Sequence, residues 1–423
     1  MAPRYVRAVV ILAALAGVIG SGCSCGTPHA PDGAVDASLD AARDVGPPDA
    51  RWLRDTSVFV PRDGGALSYE PCAEDLRFTT IAWPDPLLAL DLGAGRLYGQ
   101  GERLSVTWRT GDPFDPDTEI AWATFSTTTS RMEVLRSFRS EDPVIASPAA
   151  IGGGADGVRL YLATRDEPRT LGVVEASVSG EGPFLFMDSI SSPYSLNGVI
   201  VGGSIGVAGF ATGDGSSPYL VRLGSEARRY PMRSGLQVDS MLLSDDERRV
   251  AFTARELGTL RQLVGVLDLE SGAIREVEVP ADSFPGEPQS LVAVHFPDDG
   301  PTVVGALSVS SGHIQLAYLW LDAELGLVGS WIAPVSFRDF PPVLVPAVRQ
   351  GHDVLLTLTA ELGGRYPLYA GLSSGPGMVR GASRPIAILP SRPWSVRAWA
   401  TGADAVVAFA ASELSVLRLR CVR

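Results

Sequence analysis

The chain has no lysine, so all 35 of its basic residues are arginine. That absence removes Walker-type phosphate loops, Schiff-base chemistry and lysine general bases from consideration. Histidine is scarce, with four in 423 residues. His29 lies near the N-terminus, and His295, His313 and His352 are too far apart to form a metal-ligand pair by spacing. The four cysteines, Cys23, Cys25, Cys72 and Cys421, make no CxxC pair. The leading apolar run, Ala8 to Ile19, falls short of the about 20 residues needed to cross a bilayer. Positive charge is in deficit, giving a formal net charge of −13. A surface this acidic suits neither nucleic acid nor electrostatic attachment to anionic lipid. No haem-attachment or nicotinamide fingerprint occurs, so no cofactor is expected.

What is present begins with an export pattern: Arg4 and Arg7, then the apolar "AVVILAALAGVI", then small residues and cysteine in "GSGC". This resembles the lipobox of bacterial lipoproteins, with Gly20 where that family usually carries leucine. The resemblance implies a signal over residues 1–22 and lipid attachment at Cys23, and Ser24 after the anchor implies the outer membrane. Cys25 has no partner by this reading. Residues 23–65 are rich in Ala, Asp, Pro and Gly, as in "PDGAVDASLDAARDVGPPDA". They have too few large apolar residues to bury and are expected to form a disordered tether. As a flexible coil, about 40 residues have a root-mean-square span of about 35 Å, enough to hold a domain clear of a lipid surface.

Residues 66–423 alternate short apolar runs with Gly, Pro, Asp and Ser clusters, the pattern of an all-β domain. Seven strong runs recur: "ERLSVTWRT", "DGVRLYLAT", "IGVAGFATG", "ERRVAFTAR", "PTVVGALSV", "HDVLLTLTA" and "ADAVVAFAA". Their centres, Val106, Leu160, Val207, Val250, Val303, Val354 and Val406, are 43 to 54 residues apart. A four-stranded propeller blade takes about 40 to 50 residues, so a seven-bladed β-propeller is expected, with six or eight blades or a pair of β-sandwiches as alternatives. The unit "SMLLSDDERRVAFTARELGTLRQLVGVLDLESGAIREVEV" resembles the blades of TolB-like and WD40-like propellers. In those a "SPDG"-type turn precedes the second strand and an aspartate ends the third.

In such a ring the loops between second and third strands gather on one face around the channel. Here they would present Asp112, Asp115, Asp117, Asp166, Glu167, Asp214, Glu256 and Glu361, with Arg165, Arg255 and Arg365 among them. A mixed ring of this kind suits a polar ligand or a partner protein. Asp115, Asp117 and Glu119 alternate as calcium ligands could, although the stretch lacks the glycine turn and terminal glutamate of an EF-hand, and two prolines stiffen it. The GxSxG matches around Ser204 and Ser373 lack the strand-to-helix setting that a serine nucleophile needs, so no catalytic residue is assigned.

Closure of a propeller usually joins the N-terminal strand to the last blade. "LRFTTIAW" is a good strand without a blade of its own, and the final unit, from "ADAVVAFAA" on, supplies about two inner strands. Pairing them makes neighbours of Cys72 and Cys421, and an exported protein permits a disulfide there. The expectation is a lipid-anchored envelope propeller, monomeric as a domain, that binds an unknown protein or polar ligand and is not an enzyme. The competing expectation is an exported propeller hydrolase or lyase that uses the acidic loops.

Overall fold

Each of the seven runs forms the second strand of an antiparallel sheet: Arg103–Thr110, Gly157–Thr164, Gly206–Phe210, Arg249–Glu256, Thr302–Ser310, Asp353–Thr359 and Asp404–Ala410. The computed structural model describes residues 77–81 and, with interruptions in several loops, residues 96–420. The chain divides into two compact units, Met1–Asp63 and Gly64–Arg423, and every described residue belongs to the second. The signal, Cys23 and the tether lie outside the described residues, as do Cys72 and Cys421.

Second strands are the most legible because they are covered on both edges and both faces. Asp404–Ala410 is buried at every position, and Thr302–Ser310 over its first seven. Sheets buried on two faces read as nearly continuous apolar runs. Fourth strands lie at the rim and read as polar; Ile274–Glu278 has no buried residue.

The sheets are blade 1 (96–138), blade 2 (145–190), blade 3 (196–231), blade 4 (236–278), blade 5 (287–337), blade 6 (343–389) and blade 7 (395–420 with Arg77–Ile81). Six have four strands, and blade 2 carries an extra two-residue strand, Gly180–Glu181. The first strands of successive blades touch all the way round, blade 7 against blade 1 included. The protein is a seven-bladed β-propeller.

Closure follows the expected route. Arg77–Ile81 is the outer strand of blade 7, running from Arg77 opposite Arg418 to Ile81 opposite Leu414. The final unit supplies the two strands expected of it, Asp404–Ala410 and Leu414–Arg420, and Ser395–Thr401, just before it, forms the innermost one. That strand lines the ring's centre with mixed polarity, so it carries no strong apolar signal.

The core lies in the wedges between blades. In the wedge joining blades 1 and 7, Leu104, Val106 and Trp108 pack with Trp399, Val406 and Leu414. Trp399 lies flat on the backbone of Gly99, where a Cβ would sit 2.2 Å from the ring. Its Nε1 donates to the Gly101 carbonyl at 2.9 Å.

The topology gives the ring two faces. The turn face carries the connections between first and second strands and between third and fourth. The loop face carries those between second and third strands and between blades.

Candidate functional site

On the loop face, the residues expected at Asp112, Asp115, Asp117, Arg165, Asp166, Glu167 and Asp214 lie outside the described residues. Glu119 opens the third strand of blade 1, and among the described residues no cluster of His, Cys, Asp and Glu has the geometry to hold a metal ion. Arg255, Glu256, Glu361 and Arg365 are described.

Arg255 and Glu256 end the second strand of blade 4, but they point to different partners. Arg255 turns inward to Asp239 on the first strand, with Nε and Nη2 donating to its two carboxylate oxygens at 2.8 and 3.0 Å. Asp239 is the extra residue of a bulge between Val238 and Ser240, which aims its side chain at that guanidinium. Burial raises the Asp239 carboxyl above its ordinary value, with Arg255 pulling the other way. Glu256 faces solvent and is drawn down by Thr259 first and then Arg233. Arg233 bridges Glu256 and Glu276 at 2.6 and 3.3 Å. Glu361 and Arg365 flank a tight turn in blade 6, where Leu362 and Arg365 bridge. Burial and then Glu361 raise the Tyr366 hydroxyl. The described loop-face charges therefore form local groups within single blades and between neighbours.

The turn face holds a group that the loop-based expectation missed. In blade 4, the Ser244 hydroxyl donates to Asp246 Oδ1 at 2.6 Å, while Glu247 takes a left-handed φ of 57°. The Asp246 backbone N–H donates to Asp298 Oδ1 of blade 5 at 3.0 Å, and Asp299 pairs with Arg349 of blade 6 at 2.7 Å. Asp245 is raised by burial first and then by Asp298, with Asp246 and Asp299 adding to it and Arg349 opposing. Nearby His295 is buried, and desolvation, with Arg349 adding, holds it down at about 4. The signal was the "SDDERR" and "FPDDGP" pair at equivalent first turns. The aspartate at the end of the third strand caps its own turn: Asp268 Oδ1 accepts from the Glu270 and Ser271 N–H groups at 3.1 and 2.7 Å.

Blades 7 and 1 meet on the same face through Arg418. Its Nη1 and Nη2 donate to Glu102 at 2.8 and 2.9 Å, and its Nε donates to Asp404. Thr401 and Thr128 donate to Glu102 at 2.9 and 2.5 Å. These contacts, Arg418 foremost, hold Glu102 at about 2.

In the centre of the ring, Arg397 leaves the first strand of blade 7 and passes the Tyr98 ring of blade 1, 5.6 Å from its centroid. Its Nη2 donates to the Val201 carbonyl of blade 3 at 3.3 Å. One side chain thus joins three blades. Its Nε is buried without an acceptor, and no carboxylate pairs with it among the described residues. Burial lowers its guanidinium, and it lowers that of Arg96 on the first strand of blade 1.

Ser373 is buried and donates to the Gly375 carbonyl at 3.0 Å, and it lies in the third strand of its blade. Ser204 and His352 lie outside the described residues. In blade 5, Ser308 Oγ, His313 Nδ1 and Gln315 Oε1 are buried without hydrogen bonds among the described residues. A cleft of about 240 Å³ opens along the outer strand of that blade, lined in part by Phe284, Leu327 and Ile332.

Fold and site together define the class, a seven-bladed propeller with charged residues on the described parts of both faces and Arg397 at its centre. No protein-family model matches the chain, and no curated protein matches it. Solved structures similar to it include the WD40 domain of coronin from Toxoplasma gondii, at 9% identity and a TM-score of 0.46, covering 84% of this chain and 88% of that one. TolB from Acinetobacter baumannii is similar at 12% identity and a TM-score of 0.33, covering 77% and 80%. The propeller domain of the trilobed protease from Pyrococcus furiosus is similar at 12% identity and a TM-score of 0.38, covering 62% and 78%.

Proposed function

We propose that this chain is a lipid-anchored propeller of the outer membrane, attached through Cys23, that works as a binding or scaffolding module and presents its loop face to a partner protein or polar ligand. The observation that carries the reading is the end at which the chain joins the ring. Arg77 pairs with Arg418, and Arg418 lies on the turn face against Glu102 and Asp404. The loop face is therefore at the opposite end of the ring from Arg77, and a tether leading to Arg77 would leave it open to partners.

The ion pairs favour binding over the hydrolase or lyase alternative. Acid–base hydrolysis uses two carboxyls whose environments split their protonation across a substrate. Here Asp239 is clamped by Arg255, and Glu256 shares Arg233 with Glu276. The proposal includes a Cys72–Cys421 disulfide. Arg77, shortly after Cys72, faces Arg418, shortly before Cys421. By loop entropy, such a link would add roughly 5 to 6 kcal/mol, an upper figure.

Fatty-acid labelling in cells tests the anchor: label on the wild type and none on Cys23→Ser is expected, and equal label on both refutes it. A photo-crosslinker placed at Glu256 or Glu361 in intact envelopes should give a discrete adduct that one at Leu135, exposed on the outer strand of blade 1, does not. No adduct, or the same adduct from all three sites, refutes the loop-face reading. Non-reducing peptide mapping that finds both thiols free removes the disulfide.

A further inference from the structure

We propose that the centre of the ring is a binding site for an oxyanion, the carboxylate or phosphate group of a small ligand, with Arg397 as its main contact. This site stands apart from the anchor and from whatever the loop face binds.

Arginine keeps its charge in proteins, and Arg397 is half-buried, so desolvation weighs on a charge that no described carboxylate offsets. Arg397 has one neutral acceptor, the Val201 carbonyl, and one aromatic face, Tyr98. Its Nε is sealed without an acceptor. Asp239, which also lies on a first strand, is occupied by Arg255 through two bonds. Glu247 raises the Tyr98 and Tyr161 hydroxyls but has no resolved effect on Arg397. The chain carries 48 acidic residues, yet none described neutralises this guanidinium.

What would complete the site is negative charge with oxygen acceptors. A guanidinium presents its N–H groups in a planar fork that matches carboxylate and phosphate. The three contributing strands belong to blades 7, 1 and 3 of a closed ring, so the fork is held in place before a ligand arrives.

The test is titration of the full chain with sodium phosphate and, separately, with citrate, at constant ionic strength balanced by chloride. Calorimetry should show saturable binding of at least one anion, with a rise in Tm. Affinity should fall at least tenfold in Arg397→Gln and less in Arg397→Lys. Binding of citrate alone supports a carboxylate ligand, of phosphate alone a phosphate ligand, and of both a site for either group. Saturable binding of neither anion, or binding undiminished in Arg397→Gln, overturns the proposal. Arg397→Gln should fold without ligand, because it removes a charge that no described carboxylate pairs and glutamine can still donate to the Val201 carbonyl. Should it fail to fold, phenylglyoxal modification of the wild type decides: saturating anion slows reaction at Arg397 if the site exists, and an unchanged rate overturns it.

Discussion

Two junctions of the same ring are closed by different chemistry. Between blades 4 and 5, the Ser240 and Thr253 hydroxyls lie 2.8 Å apart, and they reach the Ala293 N–H and the Leu291 carbonyl of blade 5 at 2.7 and 2.9 Å. Between blades 7 and 1, Arg418 grips Glu102 through two nitrogens, while its third holds it to Asp404 of its own blade. The first junction joins blades that follow each other directly, so little loop entropy opposes it, and beside these neutral bonds over an apolar wedge its charged contacts, Arg275 with Glu324 and the Asp246 N–H with Asp298, lie exposed at the surface. The second must bring together segments about 300 residues apart, at a greater entropic cost. Charge-assisted, two-pronged contacts are stronger and more directional than neutral ones. The junction with the larger cost thus has the stronger contacts.

The sharpest way to break this contrast is Arg418→Ala. It takes the guanidinium from Glu102 across the junction and from Asp404, whose side chain is only 3% exposed, and removing one partner of a buried pair costs about 3 kcal/mol. The urea midpoint should fall accordingly; a loss no larger than that of Thr253→Val would erase the difference between the junctions.

Acid should separate the two regions by pH. His295 is held below its ordinary 6.5, at about 4, by burial first and then Arg349. The fold therefore favours the neutral ring, and the stabilisation is complete above pH 6.5. It declines as pH falls toward 4, by which point about 3 kcal/mol is lost. Glu102 is held below its ordinary 4.5, at about 2, chiefly by Arg418. Its contribution is complete above 4.5 and is lost as pH falls through about 2. Blade 5 should loosen before the closure does, and tryptophan fluorescence should show two limbs. His295→Gln should remove the upper limb alone; an upper limb that survives it refutes the assignment.

Thr253→Val should cost about 1 to 2 kcal/mol by leaving buried partners unpaired, with the loss confined to hydrogen-exchange protection around blades 4 and 5. Protection lost equally at blades 7 and 1 would show that the junctions are coupled. The smallest effect belongs to Arg233→Gln, whose exposed pairs with Glu256 and Glu276 should contribute under about 1 kcal/mol. A larger drop in Tm would mean that the loop-face charges hold the ring together as the closure charges do.

Much of this architecture was readable in advance. All seven second strands were, because burial on both faces makes their middles apolar, and so was Arg77–Ile81, a strand with no local partner. Ser395–Thr401 was not, because a strand lining the centre alternates Arg397 with Trp399 and gives no clear period. The loop-face positions of Arg255 and Glu256 followed from their place in the repeat. Their partners did not: a one-residue bulge turns Asp239 toward Arg255, and spacing does not reveal a bulge. Arg397 was invisible as a site because its surroundings come from blades 1 and 3, which only the curvature of the ring brings within reach.

The composite seventh blade also has a consequence in time. A chain made from its N-terminus produces Arg77–Ile81 first and the strand that receives it, Leu414–Arg420, last. Blades 1 to 6 can each zip up from strands close in sequence, but the earliest strand must wait for the final one. Until then the nascent molecule carries an unpaired strand, and unpaired edges are where chains associate wrongly. Completion of the ring therefore waits for Leu414–Arg420, and a chain cut short before Leu414 would leave Arg77–Ile81 without the partner it pairs with here.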